Sequence, residues 1–390
     1  MKEERMLRVG ADMIYLAACA LRSVAPSIER VRKMDIAEVY KMAKFHSMNT
    51  IVYISLTSFI ENGEGVIDNA TAALMRRDFG TALKKLFALE AERAALIKYL
   101  EDKGAWYLTL KGVILKDLYP KMGMRQMADN DILVNPAYAK QIKKYFVSRG
   151  YDIYSYGKGC HDVYFKDMVT FEIHHSLTSN SKKFDLVRPF CNAAIERSLL
   201  NATSPALRLS DEDFYVYFIY HTYKHFSRSG CGVRPLMDIY VYISAKGEAL
   251  DFAYIDDTLR MMGLSDFEKT VRELSLKLFS SEGTVGIDEL SRLELENLKY
   301  FITSGTFGTQ GQLIKNNLDN IAESKKITPR VKLKYLLGRI FPPFEYYKLA
   351  HPVLHKFILT IPILWLIRLF RGFVSVRSVR YEIESLKNIK

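Results

Sequence analysis

Apolar residues recur at intervals of three and four through the first 104 positions, as in SIERVRKMDIAEVYKMAKFHSMNTIVYISL and TAALMRRDFGTALKKLFALEAERAALIKYLEDKG. That period lines one face of an α-helix, and Gly104 stands where a helix stop belongs. From Ala105 the pattern changes. Trp106 to Leu110 reads as a short buried strand, Lys111-Gly112 as a tight strand-to-helix turn, and Val113 to Tyr119 as an amphipathic helix stopped before Pro120. ADNDILVNP and VTFEIHHSL alternate as strands do. Between them a helix over Ala137 to Arg149 starts from Asn135-Pro136. After Ser210 the helical spacing returns, and Ser210 with Asp213 forms a variant capping box ahead of FYVYFIYHTYKHF. No internal repeat or low-complexity tract interrupts the chain. The pattern predicts an α+β (mixed) fold, a small sheet flanked by N-terminal and C-terminal helical regions. Its expected parts are a helical region over 1–104, a mixed core over 105–204 ending at NATSP, a helical domain over 205–345 and an apolar, basic tail over 346–390.

The strands carry the candidate chemistry. Alternation places Asp129 and Asp131 on one face and Asn130 on the other; in the second strand Glu172 shares a face with His174, opposite Phe171, Ile173 and His175. Three carboxylates converging from adjacent strands form an oxygen-rich site for hard divalent cations. Two such ions can hold a nucleotide's phosphates for in-line displacement. The plainer reading is a pair of solvated acids in a loop. Gly112, one strand earlier, is placed to let backbone amides approach a phosphate; an ordinary turn is its plainer meaning.

A second constellation lies on the later helices. His221, Lys224 and His225 fall at i, i+3 and i+4 and share one face. Arg234-Pro235 begins another helix and puts Asp238 one turn on. In one reading Lys224 and Arg234 bind triphosphate or acceptor while His221 or His225 positions a leaving group. In the other, the histidines pack at an interface and Arg234–Asp238 is a helix salt bridge. A zinc pair at His221 and His225 lacks an evident third ligand.

Composition narrows the partners only a little. Lysine and arginine total 56 against 44 acids, a net charge of +12, which suits phosphate-bearing substrates, nucleic acid or an anionic membrane. No aromatic-and-basic recognition motif stands out, so no specific nucleic acid is expected. Cys19, Cys160, Cys191 and Cys231 show no Cys-x-x-Cys spacing, which argues against a zinc knuckle or disulfide framework. The opening MKEERMLRVGADM has no secretory character, and the cytoplasm is the expected location. Near the end, the apolar run Phe357 to Ile367 is interrupted by Pro362 and is too short to span a bilayer. With Trp365, Arg368, Arg371, Arg377 and Arg380 it reads either as a membrane-peripheral segment over 353–380 or as a face buried against the helical domain, entered through a stiff elbow at FPPFEYY.

Four stretches, LKGVILKDLYP, RQMADNDILV, FEIHHSL and YHTYKHFSRSGCGVRPLMDIYVYI, give the chain a resemblance to nucleotidyltransferases of the polymerase-β-like superfamily. It most resembles the bacterial uncharacterised nucleotidyltransferase family found among polysaccharide-biosynthesis genes, over roughly residues 85 to 285. The sequence departs from that pattern at Asn130, where an apolar residue is usual, and at Glu172, where Asp is usual. The resemblance implies a polymerase-β-like core over 105–204. The acids imply a catalytic and metal-binding set of Asp129, Asp131 and Glu172 holding Mg2+ (or Mn2+), with Glu172 alternatively a general base. Lys111, Gly112, Arg125, Lys224 and Arg234 are the expected nucleotide-binding residues, with His174, His221, His225 and Asp238 behind them. The expected reaction moves a nucleoside monophosphate from a nucleoside triphosphate to a hydroxyl of a sugar, small molecule or protein. Two alternatives are a catalytically silent binding module of the same fold and an Asp-x-Asp glycosyltransferase; the latter normally places its motif after several strand–helix alternations, whereas one strand and one helix precede it here.

Overall fold

The computed structural model describes residues 2–62, 65–179, 184–279, 289–322 and 326–342, the stretch 362–366, and residues 347, 382, 384 and 386. The chain divides into two compact units, 1–223 with 232–306 and 224–231 with 307–390. The fold is mixed α+β, with one five-stranded sheet among many helices.

The first unit opens with helices α1 (Lys2–Leu21), α2 (Ile28–Val31), α3 (Ile36–Phe45), α4 (Asn49–Glu61) and α5 (Asn69–Asp102). Asp68 starts α5 by accepting a hydrogen bond from the Thr71 amide at 2.8 Å, satisfying one of the helix's unpaired N–H groups. Gly104, at φ +64°, ends it. Strand β1 (Tyr107–Thr109) leads through the four-residue α6 (Gly112–Leu115) and a 3-10 turn at Lys116–Leu118 to β2 (Asn130–Val134). The helix expected over Val113 to Tyr119 is therefore two short pieces. Helix α7 (Ala139–Ser148) and strands β3 (Asp152–Ser155), β4 (His161–Lys166) and β5 (Val169–His174) complete the sheet. Its order is β1-β2-β5-β4-β3, with β2 and β5 parallel and the other pairs antiparallel.

The two faces of this sheet differ in kind. Ile132, Val134, Phe171 and Ile173 join Leu86, Leu89 and Leu96 of α5 and Phe146 of α7 in one buried cluster. Asn130 points to the same side, fully buried, donating to the Leu89 carbonyl at 2.9 Å and accepting from Arg93 at 3.1 Å. The polar residue in the middle of Asp-Asn-Asp is thus a clamp between strand and helix; with both ends bonded, its burial costs little. Asp131, Glu172 and His174 occupy the opposite face.

Helices α8 (Arg188–Leu200), α9 (Asp211–Phe226), α10 (Arg234–Lys246), α11 (Phe252–Met261), α12 (Ser265–Phe279) and α13 (Arg292–Ser304) follow. Ser210 does cap α9, accepting from the Asp213 amide at 3.0 Å. The Asp213 carboxylate, however, turns to Arg197 and Tyr254 rather than closing the box. In the second unit, α14 (Gln310–Ile321) and α15 (Pro329–Ile340) share a small core of Ile314, Leu318, Tyr335 and Leu386. Of the apolar run 357–367 only 362–366 are described; there Trp365 stacks on Phe341 and donates to the Ile340 carbonyl at 2.9 Å. The rest of the expected membrane-peripheral segment and most of the elbow lie outside the described residues. Among the described residues no helix is long and apolar enough to cross a membrane.

Candidate active site

The site is assembled by strand register. In the parallel β2–β5 pair Asp131 lies opposite Glu172 and Leu133 opposite His174, so the acidic faces coincide. One ligand atom from each of Asp131, Glu172 and His174 can be chosen so that all lie within 4.8 Å of one another. His174 Nε2 is 2.9 Å from Asp131 Oδ1 and 3.6 Å from Glu172 Oε2. Lys111 Nζ donates to the same Asp131 oxygen at 2.9 Å.

Lys111 reaches it from an unusual backbone, φ +46° and ψ −109°, a conformation that costs a non-glycine residue about 1–3 kcal/mol. The Leu110 amide bonded to the Asp131 carbonyl at 3.0 Å and the Lys111–Asp131 ion pair hold it there. Gly112 follows with its backbone packed against a neighbour: a Cβ there would meet Arg125 Nη1 at 2.7 Å and Met127 Cε at 3.1 Å. A larger residue there would have to push those side-chain ends aside.

Asp129 precedes the strand and lies outside the 4.8 Å group, but it feels both partners. Burial, then the charges of Asp131 and Glu172, push its carboxyl up to about 7. Burial also works to raise Asp131, yet Lys111 and His174 outweigh it and hold that carboxyl well below the ordinary range. Glu172 is likewise lowered, because the His174 hydrogen bond overcomes the effect of burial. For His174, burial favours the neutral ring, but its hydrogen bonds, chiefly to Asp131, carry its pKa up to about 9. Near neutral pH the cluster contains two firmly ionised carboxylates, two cations and one acid whose charge awaits compensation. Such an oxygen-rich set, with Asp129 under repulsion, fits a hard divalent cation.

The expected cations are placed unevenly. Arg234, half-buried at the start of α10, donates to the Gln126 carbonyl at 3.4 Å and exerts its charge on Asp129. Arg125, expected to neutralise pyrophosphate, is fully engaged elsewhere. Its Nε and Nη2 clasp Asp238 at 2.7 and 3.0 Å, and the Tyr119 hydroxyl donates to the same carboxylate at 2.7 Å. The Arg234–Asp238 helix pair of the sequence reading is thus replaced by Arg125–Asp238. His221 remains in the first unit, one turn beyond Tyr217, with their rings 6.3 Å apart. Lys224 and His225 belong to the second unit.

Three groups at the site gave no signal in the strand pattern. Lys85 of α5 contributes charge toward Asp129, from a helix whose only local feature is its amphipathic repeat. His161 stands opposite His174 in the β4–β5 pair, its Nε2 3.8 Å from Glu172 Oε2, and Cys160 adjoins it. The Lys166↔Val169 register closes this hairpin on a two-residue turn, with Asp167 at φ +51°. Asp is a recognised turn residue there, and that turn was the clue available to place His161.

The model of a family described as uncharacterised nucleotidyltransferase matches residues 32–280, well over half of the chain and starting far ahead of residue 85. No curated protein and no solved structure gives a match.

Proposed function

The chain belongs to the uncharacterised nucleotidyltransferase family, and from that premise we propose that it moves a nucleoside monophosphate from a nucleoside triphosphate to a hydroxyl acceptor, using Mg2+ or Mn2+ held by Asp129, Asp131 and Glu172. Family membership supports nucleotidyl transfer in general. The donor, acceptor, metal and kinship with the polymerase-β-like superfamily are our reading. The observation that carries it is the Asp131–Glu172–His174 group on one sheet face, with Asp129 raised to about 7 beside it.

When bound, the cation would neutralise the triphosphate and polarise the α-phosphoryl group. The chain's own residues do the rest. Loading the site drives the proton from Asp129, so affinity rises with pH through about 7. Lys111 keeps Asp131 ionised and, with Arg234 and Lys85, supplies positive charge to the donor's phosphates. The acceptor oxygen bonds to the α-phosphorus as the bond to pyrophosphate breaks, and the hydroxyl proton passes to water; Glu172 takes it only in the alternative in which Glu172 is the general base and not a ligand of the cation. A sugar hydroxyl, as used in polysaccharide assembly, is the first acceptor class to try.

The test is incubation with each labelled nucleoside triphosphate and magnesium, with a melting curve in parallel. Label transfer from at least one nucleotide, lost in a folded Asp131→Asn variant, is the expected result. A second reading has its own support: Lys111 and His174 already compensate Asp131 through a shared oxygen, as a silent binding module of this fold could do. A rise in melting temperature with nucleotide but no label transfer would select that module. No rise and no transfer with any common nucleotide at millimolar concentration would overturn both.

A further inference from the structure

The histidines beside the carboxylates have a second side. His161 and His174 are cross-strand partners with ring centroids 4.9 Å apart. Each turns Nε2 toward a carboxylate, His174 to Asp131 at 2.9 Å and His161 to Glu172 at 3.8 Å. His161 Nδ1 then faces the thiol of Cys160, with Sγ and Nδ1 3.6 Å apart. His174 Nδ1 is buried in a residue only 5% exposed and makes no regular hydrogen bond, while the Cys160 thiol also acts on this ring. Ligand atoms of Cys160, His161 and His174 can all be chosen within 4.8 Å of one another.

We propose that Cys160, His161 and His174 form a second metal site, selective for a borderline-soft divalent transition ion of the zinc type. Zinc bound tetrahedrally at about 2.3 Å from sulfur and about 2.1 Å from nitrogen sets those two atoms about 3.6 Å apart, the separation found between Cys160 and His161. One thiolate and two imidazoles do not suit magnesium, which takes oxygen ligands. The Nδ1 of His174 gains a regular partner when the ion enters, and the half-exposed Cys160 gives it access. Histidines that bind metal commonly donate their other N–H to a carboxylate, and Asp131 and Glu172 stand in those positions. Three protein ligands leave a fourth position for water. Binding deprotonates the Cys160 thiol and fixes the remaining proton of each ring on Nε2, so Asp131 always receives an N–H. The transition ion thereby sets the charge and orientation of the carboxylate site from behind. The proposal does not depend on nucleotidyl transfer, and its test does not read transfer.

Cobalt(II) is the probe, titrated into the full-length, metal-stripped protein. The expected spectrum shows a thiolate-to-cobalt charge-transfer band and the intense visible bands of a four-coordinate ion, both saturating at one equivalent and both removed by zinc. Cys160→Ser should abolish the charge-transfer band, and His161→Gln should weaken binding at least tenfold, each in a variant whose melting curve shows it folded. If one variant fails to fold, the other decides. Asp129→Asn should leave the spectrum unchanged. Charge transfer persisting in folded Cys160→Ser, undiminished affinity in folded His161→Gln, weak six-coordinate bands alone in the wild type, or a charge-transfer band lost with Asp129→Asn would overturn the proposal.

Discussion

Two charge clusters in the first unit obey opposite rules. Around Asp238, one carboxylate meets one guanidinium in a two-pronged pair, and Tyr119 adds a third donor; charge and hydrogen bonds both balance. Around Asp131, three carboxylates face Lys111 and His174, and the imbalance shows as an Asp129 carboxyl pushed up to about 7. The matched cluster spends its two-pronged pair internally, which suits a role in the fold. The unmatched one stores repulsion that a cation would relieve, and perturbed carboxyls of this kind cluster at functional sites.

The largest effect should come from unbalancing the matched cluster. Arg125→Met leaves Asp238 buried without its counter-ion, and denaturant unfolding should show a loss of about 3–5 kcal/mol. Adding Asp238→Leu should recover most of it, since an apolar replacement of both partners removes the stranded charge. A mild Arg125→Met would show that the cluster is not structural. Next is Asp131→Asn: transfer should fall about 100-fold or more while unfolding stays cooperative. Loss of both together would erase the distinction between the clusters.

A smaller effect is expected where the clusters touch. Gly112→Ala drives a methyl into the Arg125 guanidinium at 2.7 Å, and overpacking of this kind costs about 1–3 kcal/mol. An unchanged melting temperature would mean that Arg125 can give way. The smallest signal is the pH dependence due to Asp129, which is largely but not fully buried, so solvent screens part of it. Its folded pKa, about 7, is raised above the ordinary 3.8. Its stabilising contribution is therefore full below about 3.8 and is lost as pH rises through about 7. Metal-free wild type should lose stability over that window relative to Asp129→Asn, and magnesium with nucleotide should reverse the trend. Parallel pH curves for the two proteins would argue that Asp129 is solvated and outside the cluster.

Local pattern carried the reading some distance. The described residues ahead of the stop at Gly104 form α1 to α5 and the turns between them, because a three-and-four repeat of apolar side chains and a glycine free to take positive φ are properties of short segments. Alternation in ADNDILV and FEIHHSL was enough to put Asp131 on the side away from Asn130, and Glu172 with His174. What each face would meet was not local. That β2 pairs in parallel with β5, opposing Asp131 to Glu172, follows from packing both apolar faces against α5 and α7. That Asp238 takes Arg125 across the fold, rather than Arg234 one turn away, was decided by burial. A helix-neighbour pair is worth only a few tenths of a kcal/mol in water, whereas a carboxylate enclosed by the fold requires the partner whose two donors can both reach it. The same enclosure brought Lys85, His161 and Cys160 to the site from segments whose own patterns are silent about it. Sequence fixes which side chains share a face; only the packed chain decides which charges are matched and which are left over.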